Sequence, residues 1–188
     1  MEPWTDRSKG GTSAASIGRP LPSVHGRALG EEVALFMSTY VNKVDRKGRV
    51  SVPATFRAQL SGSSFPGIAA YPLLGEDVLE AAGIDRMQAI SAASDDPEQP
   101  EEQRQLYRLI LRRAQLLPFD PEGRILLPER FVAHAHITDG AAFVGRGPTF
   151  QIWEPDRLAA DDAHWEERML RQNVKMGPLE GGAAGRRR

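Results

Sequence analysis

The chain has 188 residues, a formal net charge of −1 and no cysteine. This length suits one domain or two small ones, and the missing thiols exclude disulfides, cysteine zinc sites and thiol nucleophiles. The charge creates no global basic field, so nucleic-acid binding must come from a local cluster or from many copies of one. No apolar run approaches the roughly 20 residues that span a bilayer, and the residues after Met1 lack the apolar centre of a signal peptide.

The two ends of the chain have the composition of unstructured segments. Residues 1–32 are rich in Gly, Ser, Pro and Arg and show no hydrophobic period, which predicts disorder. The ordered pattern starts abruptly at Val33, and bacterial genes can start on a valine codon. Translation from Val33 is therefore a hypothesis, which an intact mass that includes Met1 would contradict. Residues 173–188 are predicted to form a frayed tail.

One stretch of the chain occurs twice without a gap, in the windows 45–57 and 120–132. Five positions are identical in the two copies: Asp45/Asp120, Gly48/Gly123, Arg49/Arg124, Pro53/Pro128 and Phe56/Phe131. Internal repetition of this kind indicates two copies of one supersecondary unit.

Each copy predicts a strand, a tight turn, a returning strand and a short helix. Asp at the first turn position bonds nearby backbone N–H groups, Gly at the fourth accepts a positive φ, and Pro suits the start of a helix. In the first copy these elements are predicted at 36–44, 45–48, 49–52 and 54–60. In the second copy they are predicted at 115–119, 120–123, 124–127 and 128–135.

Other elements are predicted around the two copies from hydrophobic period and breaker residues. Between the copies these are a strand over 65–74, a helix over 76–92, a polar linker over 95–100 and a helix over 101–114. After the second copy follow a hairpin over 141–153 and a last helix opened by Pro155. Its expected anchors are Leu158, Trp165 and Leu170.

The first turn gathers cations at a hairpin tip, namely Arg46, Lys47 and Arg49. Arg bonds the O6 and N7 atoms of guanine bidentately, and both cations neutralise phosphates, so the tip is a candidate nucleic-acid contact. Two other interpretations remain open: the turn is simply polar, or Arg49 forms an ion pair with Asp45.

The second turn repeats the arginine as Arg124 but not the additional cations. It has Pro121 and Glu122 where the first turn has Arg46 and Lys47, so it is much less basic. The two turns are therefore not equivalent ligand sites, and the first copy is expected to do most of the contacting.

No assembled catalytic or metal-binding set is found. His134 and His136 have no nearby cysteine or carboxylate to complete a metal site, and the Gly145–Gly147 segment lacks the Lys-Ser/Thr of a phosphate loop. The sequence therefore predicts no enzyme activity, cofactor, metal or small-molecule substrate.

The two copies resemble the MraZ family, the tandem-repeat transcriptional regulators of the bacterial division and cell-wall gene cluster. The resemblance is carried by windows 45–57 and 120–128 and by Phe-Gln-Ile-Trp-Glu-Pro at 150–155, and it covers residues 33–172. It implies an α+β fold in which two tandem AbrB-like swapped-hairpin repeats form a pseudo-two-fold β-barrel with flanking helices. The implied parts are a disordered extension (1–32), a first repeat (33–94), a linker and helix (95–114), a second repeat with a C-terminal helix (115–172) and a tail (173–188).

The resemblance also implies a function: sequence-specific repression through G-rich direct repeats upstream of the chain's own operon, by a ring oligomer in the cytoplasm and nucleoid. Double-stranded DNA and further copies of the chain are the implied partners. The implied DNA contacts are Lys47 and Arg49 with the neighbouring Arg46, and Arg124 through the repeat. A ring would present several basic tips to one DNA and so raise their effective concentration. The alternative is a ring-forming scaffold or protein-interaction module, from which a steep salt dependence would distinguish the repressor.

Overall fold

The computed structural model describes residues 34–177, all within one compact unit. The predicted disordered extension 1–32, the hypothetical start at Val33 and residues 178–188 of the predicted tail lie outside the described residues. The described strands are β1 (Thr39–Lys43), β2 (Arg49–Ser51), β3 (Gly67–Pro72), β4 (Leu79–Ala82), β5 (Gln115–Pro118), β6 (Arg124–Leu126), β7 (Gly140–Gly145) and β8 (Phe150–Trp153). The described helices are α1 (Ala54–Gln59), α2 (Ile84–Asp95), α3 (Glu101–Arg113), α4 (Glu129–His134) and α5 (Pro155–Arg171).

Six strands form one antiparallel sheet in the order β1-β7-β8-β4-β3-β5, and β2 pairs with β6 in a separate ladder. We group the strands in chain order as β1–β4 with the first copy and β5–β8 with the second. The first strand of each group pairs with the third strand of the other group, β1 with β7 and β5 with β3. The second strands pair with each other, and so do the fourth strands. Exchanging each strand for its counterpart in the other copy only reverses the sheet order, so the strand pairing has a pseudo-two-fold relation.

The expectation of a closed β-barrel is wrong, whereas the α+β class is confirmed. Strands β1 and β5 remain the edges of the six-stranded sheet. Among the described residues, a single isolated bridge, Val44 with Val50, connects the residue after β1 to the β2–β6 ladder. The sheet stays open because β2 and β6 are too short to join both of its edges. Each has three residues, and all of them pair with the other strand.

Two apolar cores lie on opposite faces of the sheet, since alternate residues of a strand point to opposite sides. Ile68 and Ala70 of β3 belong to the larger core, whereas Ala69 and Tyr71 belong to the smaller one. The larger core contains the aromatic side chains Phe36, Phe56, Phe131, Phe143 and Phe150. The smaller core joins β3 to α2 and α3 through Met87, Ile90, Tyr107 and Ile110.

The predicted helix over 76–92 is wrong in its first half. Leu79–Ala82 forms β4, and α2 begins only at Ile84, after Gly83. Every residue of 78–82 is buried, and β4 lies between β3 and β8. A short, mostly apolar segment, here interrupted by Glu80, suits a fully buried strand as well as a buried helix, and the two neighbouring strands decide for the strand.

Most other predicted elements are confirmed with small changes in their ends, including α1, α3, the β7–β8 hairpin and α5. The predicted strand over 36–44 is shorter, because Ser38 has φ +73° and regular pairing starts at Thr39. In α5, Leu158 is buried as expected, but Leu170 is 82% exposed and is not an anchor.

Phe56 is the aromatic centre of the larger core, with ring centroids 5.2 Å from Phe36 and 5.0 Å from Phe150. We expect Phe56→Ala to lower the free energy of unfolding by about 3–5 kcal/mol, because it removes buried area and leaves a cavity. Chemical denaturation followed by circular dichroism measures the change. The exposed neighbour Thr55 provides the control, and equal effects of Thr55→Ala and Phe56→Ala would contradict the packing described.

Candidate nucleic-acid interface

The carboxylate of Asp45 holds the first turn together. Its Oδ1 accepts hydrogen bonds from the backbone N–H groups of Lys47 at 2.8 Å and Arg49 at 2.9 Å. Its Oδ2 accepts from Arg49 Nε at 2.7 Å and lies 2.7 Å from Arg49 Nη2 in the ion pair. Gly48 closes the turn with φ +79° and donates its N–H to the carbonyl of Asp45 at 2.9 Å. The ion pair left open as an alternative is therefore present, and it fixes the position of the Arg49 guanidinium.

The second turn has the same construction. Asp120 Oδ1 accepts from the backbone N–H groups of Glu122 at 3.0 Å and Arg124 at 2.9 Å, and its Oδ2 accepts from Arg124 Nε at 2.7 Å. One bond is new, because Arg124 Nη2 also donates to Glu122 Oε2 at 2.7 Å. Gly123 has φ +74°. The duplicated Asp and Gly thus serve turn geometry, as predicted.

These bonds shift the pKa values of the groups involved. Backbone and then side-chain hydrogen bonds from Arg49 lower the pKa of Asp45 to about 2. Burial acts to raise the pKa of Asp120, but the bonds from Arg124 outweigh it and the net shift is downward. The pKa of Arg124 is raised, chiefly by its hydrogen bond to Asp120 and also by the charges of Glu122 and Asp45. Both turns therefore keep their internal ion pairs at neutral pH.

The β2–β6 ladder brings the two repeated arginines onto one face. Val50 pairs with Ile125 at its centre, and both side chains are buried. Because side chains alternate along a strand, the flanking residues point outward. Arg49 lies opposite Leu126, and Arg124 lies opposite Ser51. Arg49 and Arg124 are consequently diagonal neighbours, for which regular antiparallel geometry gives a separation of about 7–8 Å.

Each turn is also bonded to the opposite copy through its glycine. The N–H of Leu127 donates to the carbonyl of Gly48 at 2.9 Å, and the N–H of Val52 donates to the carbonyl of Gly123 at 3.1 Å. These equivalent bonds place the two turns at opposite ends of the ladder. The ladder and its two turns form one continuous surface, called here the ribbon surface (residues 45–51 and 120–126).

Charge distinguishes the two ends of the ribbon surface. One carboxylate and three cations give the first turn a formal charge of +2, whereas two carboxylates and one cation give the second turn −1. Arg46 and Lys47 are exposed, and neither forms an ion pair with another residue of the described range 34–177. A shallow groove beside the first turn is lined by Gly48 and by Val132 and Ala133 of α4.

Three of the predicted site residues, Arg46, Lys47 and Arg49, thus share one tip, and Arg124 joins them through strand pairing. One neighbouring cation was missed by sequence reasoning. The guanidinium of Arg57 from α1 lies against Gly123 of the second turn. The sequence contains one signal for this difference between the copies: the position equivalent to Arg57 in the second copy is Val132.

The remaining candidate groups are the two histidines and the Gly145–Gly147 segment. No cluster of three metal-binding side chains occurs within residues 34–177. His134 ends α4, while His136 follows it and lies 3.6 Å from a carboxylate oxygen of Asp77. Gly147 has φ +78° in the β7–β8 connection, as a hairpin turn requires. In the same range, no helix has the length and apolarity needed to cross a membrane.

Comparison with known proteins gives one consistent family. Residues 110–167 match the family model MraZ, described as an MraZ protein and antitoxin-like. A transcriptional regulator MraZ of Rickettsia canadensis (strain McKiel) is 37% identical over 146 residues, which cover 74% of this chain and 98% of the relative. The chain belongs to the MraZ family.

Two further MraZ relatives, which carry the same name, are more similar over somewhat shorter alignments. The protein of Pelagibacter ubique (strain HTCC1062) is 46% identical over 122 residues, covering 64% of this chain and 79% of the relative. The protein of Xanthobacter autotrophicus (strain ATCC BAA-1158 / Py2) is 41% identical over 142 residues, covering 74% and 90%. The MraZ family assignment from the repeated turns is thus confirmed.

We expect the carboxyl group of Asp45 to titrate at about 2 rather than at its ordinary 3.8. A folded-state pKa below the unfolded value contributes stability above about 3.8, and this contribution is lost as the pH falls toward about 2. Carbon-detected NMR titration measures the value. Arg49→Gln should raise the pKa only part of the way, because the backbone bond from residue 49 remains. Arg46→Gln is the control and should leave the pKa unchanged, and a pKa of Asp45 that ignores Arg49→Gln would contradict the ion pair.

Proposed function

We propose that the chain is a sequence-specific DNA-binding transcriptional regulator that represses the bacterial division and cell-wall gene cluster. Its relatives in three bacteria are named transcriptional regulators. The observation that carries the DNA-binding part is the ribbon surface, on which Arg49 and Arg124 face outward beside the exposed Arg46 and Lys47. The proposed activity is binding, without a catalysed step or a cofactor.

The dimensions of a two-stranded ribbon favour this proposal, since the major groove of B-DNA admits such a ribbon. In the proposed complex the outward face of β2 and β6 enters the groove, and Arg49 and Arg124 reach base edges. Arg46 and Lys47 at the exposed tip neutralise phosphates. Asp45 holds Arg49 in place beforehand, so less side-chain freedom is lost on binding.

We further propose that the two copies are AbrB-like swapped-hairpin repeats at 33–94 and 115–172, connected by residues 95–114. The reciprocal pairing of β1 with β7 and of β5 with β3 supports this assignment, because each copy supplies a strand to the other. In this proposal the β2–β6 ladder is one of four strand pairings between the two copies.

Self-assembly into a ring is the second part of the proposal. Strand β1 is an edge of the sheet, and near it Leu35, Met37 and Val41 are more than half exposed. An edge strand with exposed apolar side chains favours association with another chain. A ring would repeat the ribbon surface along one duplex, which suits binding to G-rich direct repeats upstream of the chain's own operon in the nucleoid.

Exchanging the tips tests the DNA-binding proposal. We expect Arg46→Pro with Lys47→Glu, which gives the first turn the residues of the second, to abolish most binding to the duplex upstream of the gene. The loss follows from replacing two cations by one anion, so the slope of log K against log salt should also become shallower. Fluorescence anisotropy at several salt concentrations measures both quantities.

The reciprocal variant, Pro121→Arg with Glu122→Lys, is the matched control and should strengthen binding. A duplex of shuffled sequence separates base reading from phosphate attraction. The unmodified chain should prefer the upstream duplex, and Arg49→Ala should cost about 1–3 kcal/mol of that preference if Arg49 reads a guanine. Binding without salt dependence would contradict a DNA-binding role and favour a protein-interaction module.

Assembly is tested separately at the sheet edge. We expect Val41→Lys to reduce the oligomer mass, because a charge at an exposed edge opposes strand pairing between chains. Native mass spectrometry gives the subunit number. Thr39→Lys places the same charge on the same face of β1 and should also reduce the oligomer mass, and circular dichroism checks the fold. An unchanged oligomer for both variants would remove β1 from the proposed interface.

A further inference from the structure

The side chain of Arg57 reaches from the helix of the first copy to the turn of the second. Its Nε donates to the carbonyl of Val52 at 3.2 Å, which directs the guanidinium away from α1. A Cβ added to Gly123 would overlap atoms Nε, Cζ and Nη1 of that guanidinium. The group therefore occupies the space over the second turn that a side chain at residue 123 would enter.

Among the described residues, no cationic side chain packs over the glycine of the first turn. A Cβ on Gly48 would meet the carbonyl oxygen of Leu127 at 3.1 Å and a methyl group of Leu126 at 3.7 Å. The equivalent of Arg57 is Val132, which lines the groove beside the first turn. The contact is consequently specific to the end of the ribbon surface that lacks the additional cations.

Arg57 is half-buried, and its terminal nitrogens are not fully enclosed. Among the described residues they make no hydrogen bond, and they are also not among the buried polar atoms without a partner. Their donors are thus free to bond a ligand, while the Nε bond to Val52 and the contact with Gly123 restrict the orientation of the group. Arg with free terminal donors pairs well with phosphate oxygens.

The formal charge of the second turn indicates a role for the Arg57 guanidinium. With Glu122 and Asp120, the second turn alone has a formal charge of −1, which repels the phosphates of a bound duplex. The guanidinium of Arg57 brings the local formal charge to zero and stands beside the turn that presents Arg124. The helix of one copy thus supplies the cation that the turn of the other copy lacks.

We propose that Arg57 contacts a DNA phosphate at the second turn and lets this end of the ribbon surface join the bound duplex. The inference rests on the proposed DNA-binding function. It extends the interface from the two turns to α1, and it makes both copies contribute at one end of the ribbon.

Salt dependence distinguishes a phosphate contact from a packing role. For Arg57→Gln, we expect the slope of log K against log salt to become shallower by about 0.9 for each subunit that engages the duplex. The weakening should be similar for the upstream duplex and for a shuffled one, because phosphates carry no sequence information. Arg57→Lys should retain the slope. Arg171→Gln, on α5, removes the same charge from an exposed side chain and should leave the slope unchanged.

An NMR titration gives a second measurement on the unmodified chain, so the test does not depend on whether the variants fold. The Nη resonances of Arg57 should shift on addition of the upstream duplex. Unperturbed resonances, or a slope for Arg57→Gln equal to that of the unmodified chain, would overturn the inference while leaving the proposed function intact. Absence of salt-dependent binding by the unmodified chain would overturn both.

Discussion

The pairing of Val50 with Ile125 is the constraint on which the arrangement of the two copies depends. Both side chains are buried, and they are equivalent positions of the repeat. With this pair at the centre, the neighbouring residues of β2 and β6 must face outward, and the two turns must lie at opposite ends. The bonds from Leu127 and Val52 to the turn glycines then follow from the same register. A shift of either strand by one residue would turn the arginine of that strand toward the core.

The Asp–Arg pairs inside the turns serve shape more than net charge. Each carboxylate bonds two backbone N–H groups and one guanidinium, so the loop loses little further freedom on binding. The same pairing compensates the charge of Arg49 and Arg124. The net positive charge of the first turn therefore comes from Arg46 and Lys47. Their side chains do not hold the turn together, and the second copy has different residues at these positions.

Local chemistry explains which parts of the fold the sequence predicts well. Asp, Gly and Pro at fixed spacing determine the turn and the helix start within each copy, and α1 was predicted at 54–60 and lies at Ala54–Gln59. The run 78–82 was misassigned because its neighbours, rather than its own period, decide for a strand. Pairing between the copies leaves no local signal either. Hence the site residues were predictable one by one, but not the common face of Arg49 and Arg124 or the reach of Arg57.

Because the two turns differ, the two ends of the ribbon surface can be told apart, although the strand order is symmetric. A body with two identical arms looks the same when it is turned end over end, so it cannot distinguish the two directions along a double helix. Here the first turn carries Arg46 and Lys47, whereas the second turn carries Pro121 and Glu122. Each subunit therefore has a direction along the duplex in the proposed complex, and copies bound to direct repeats would all point the same way.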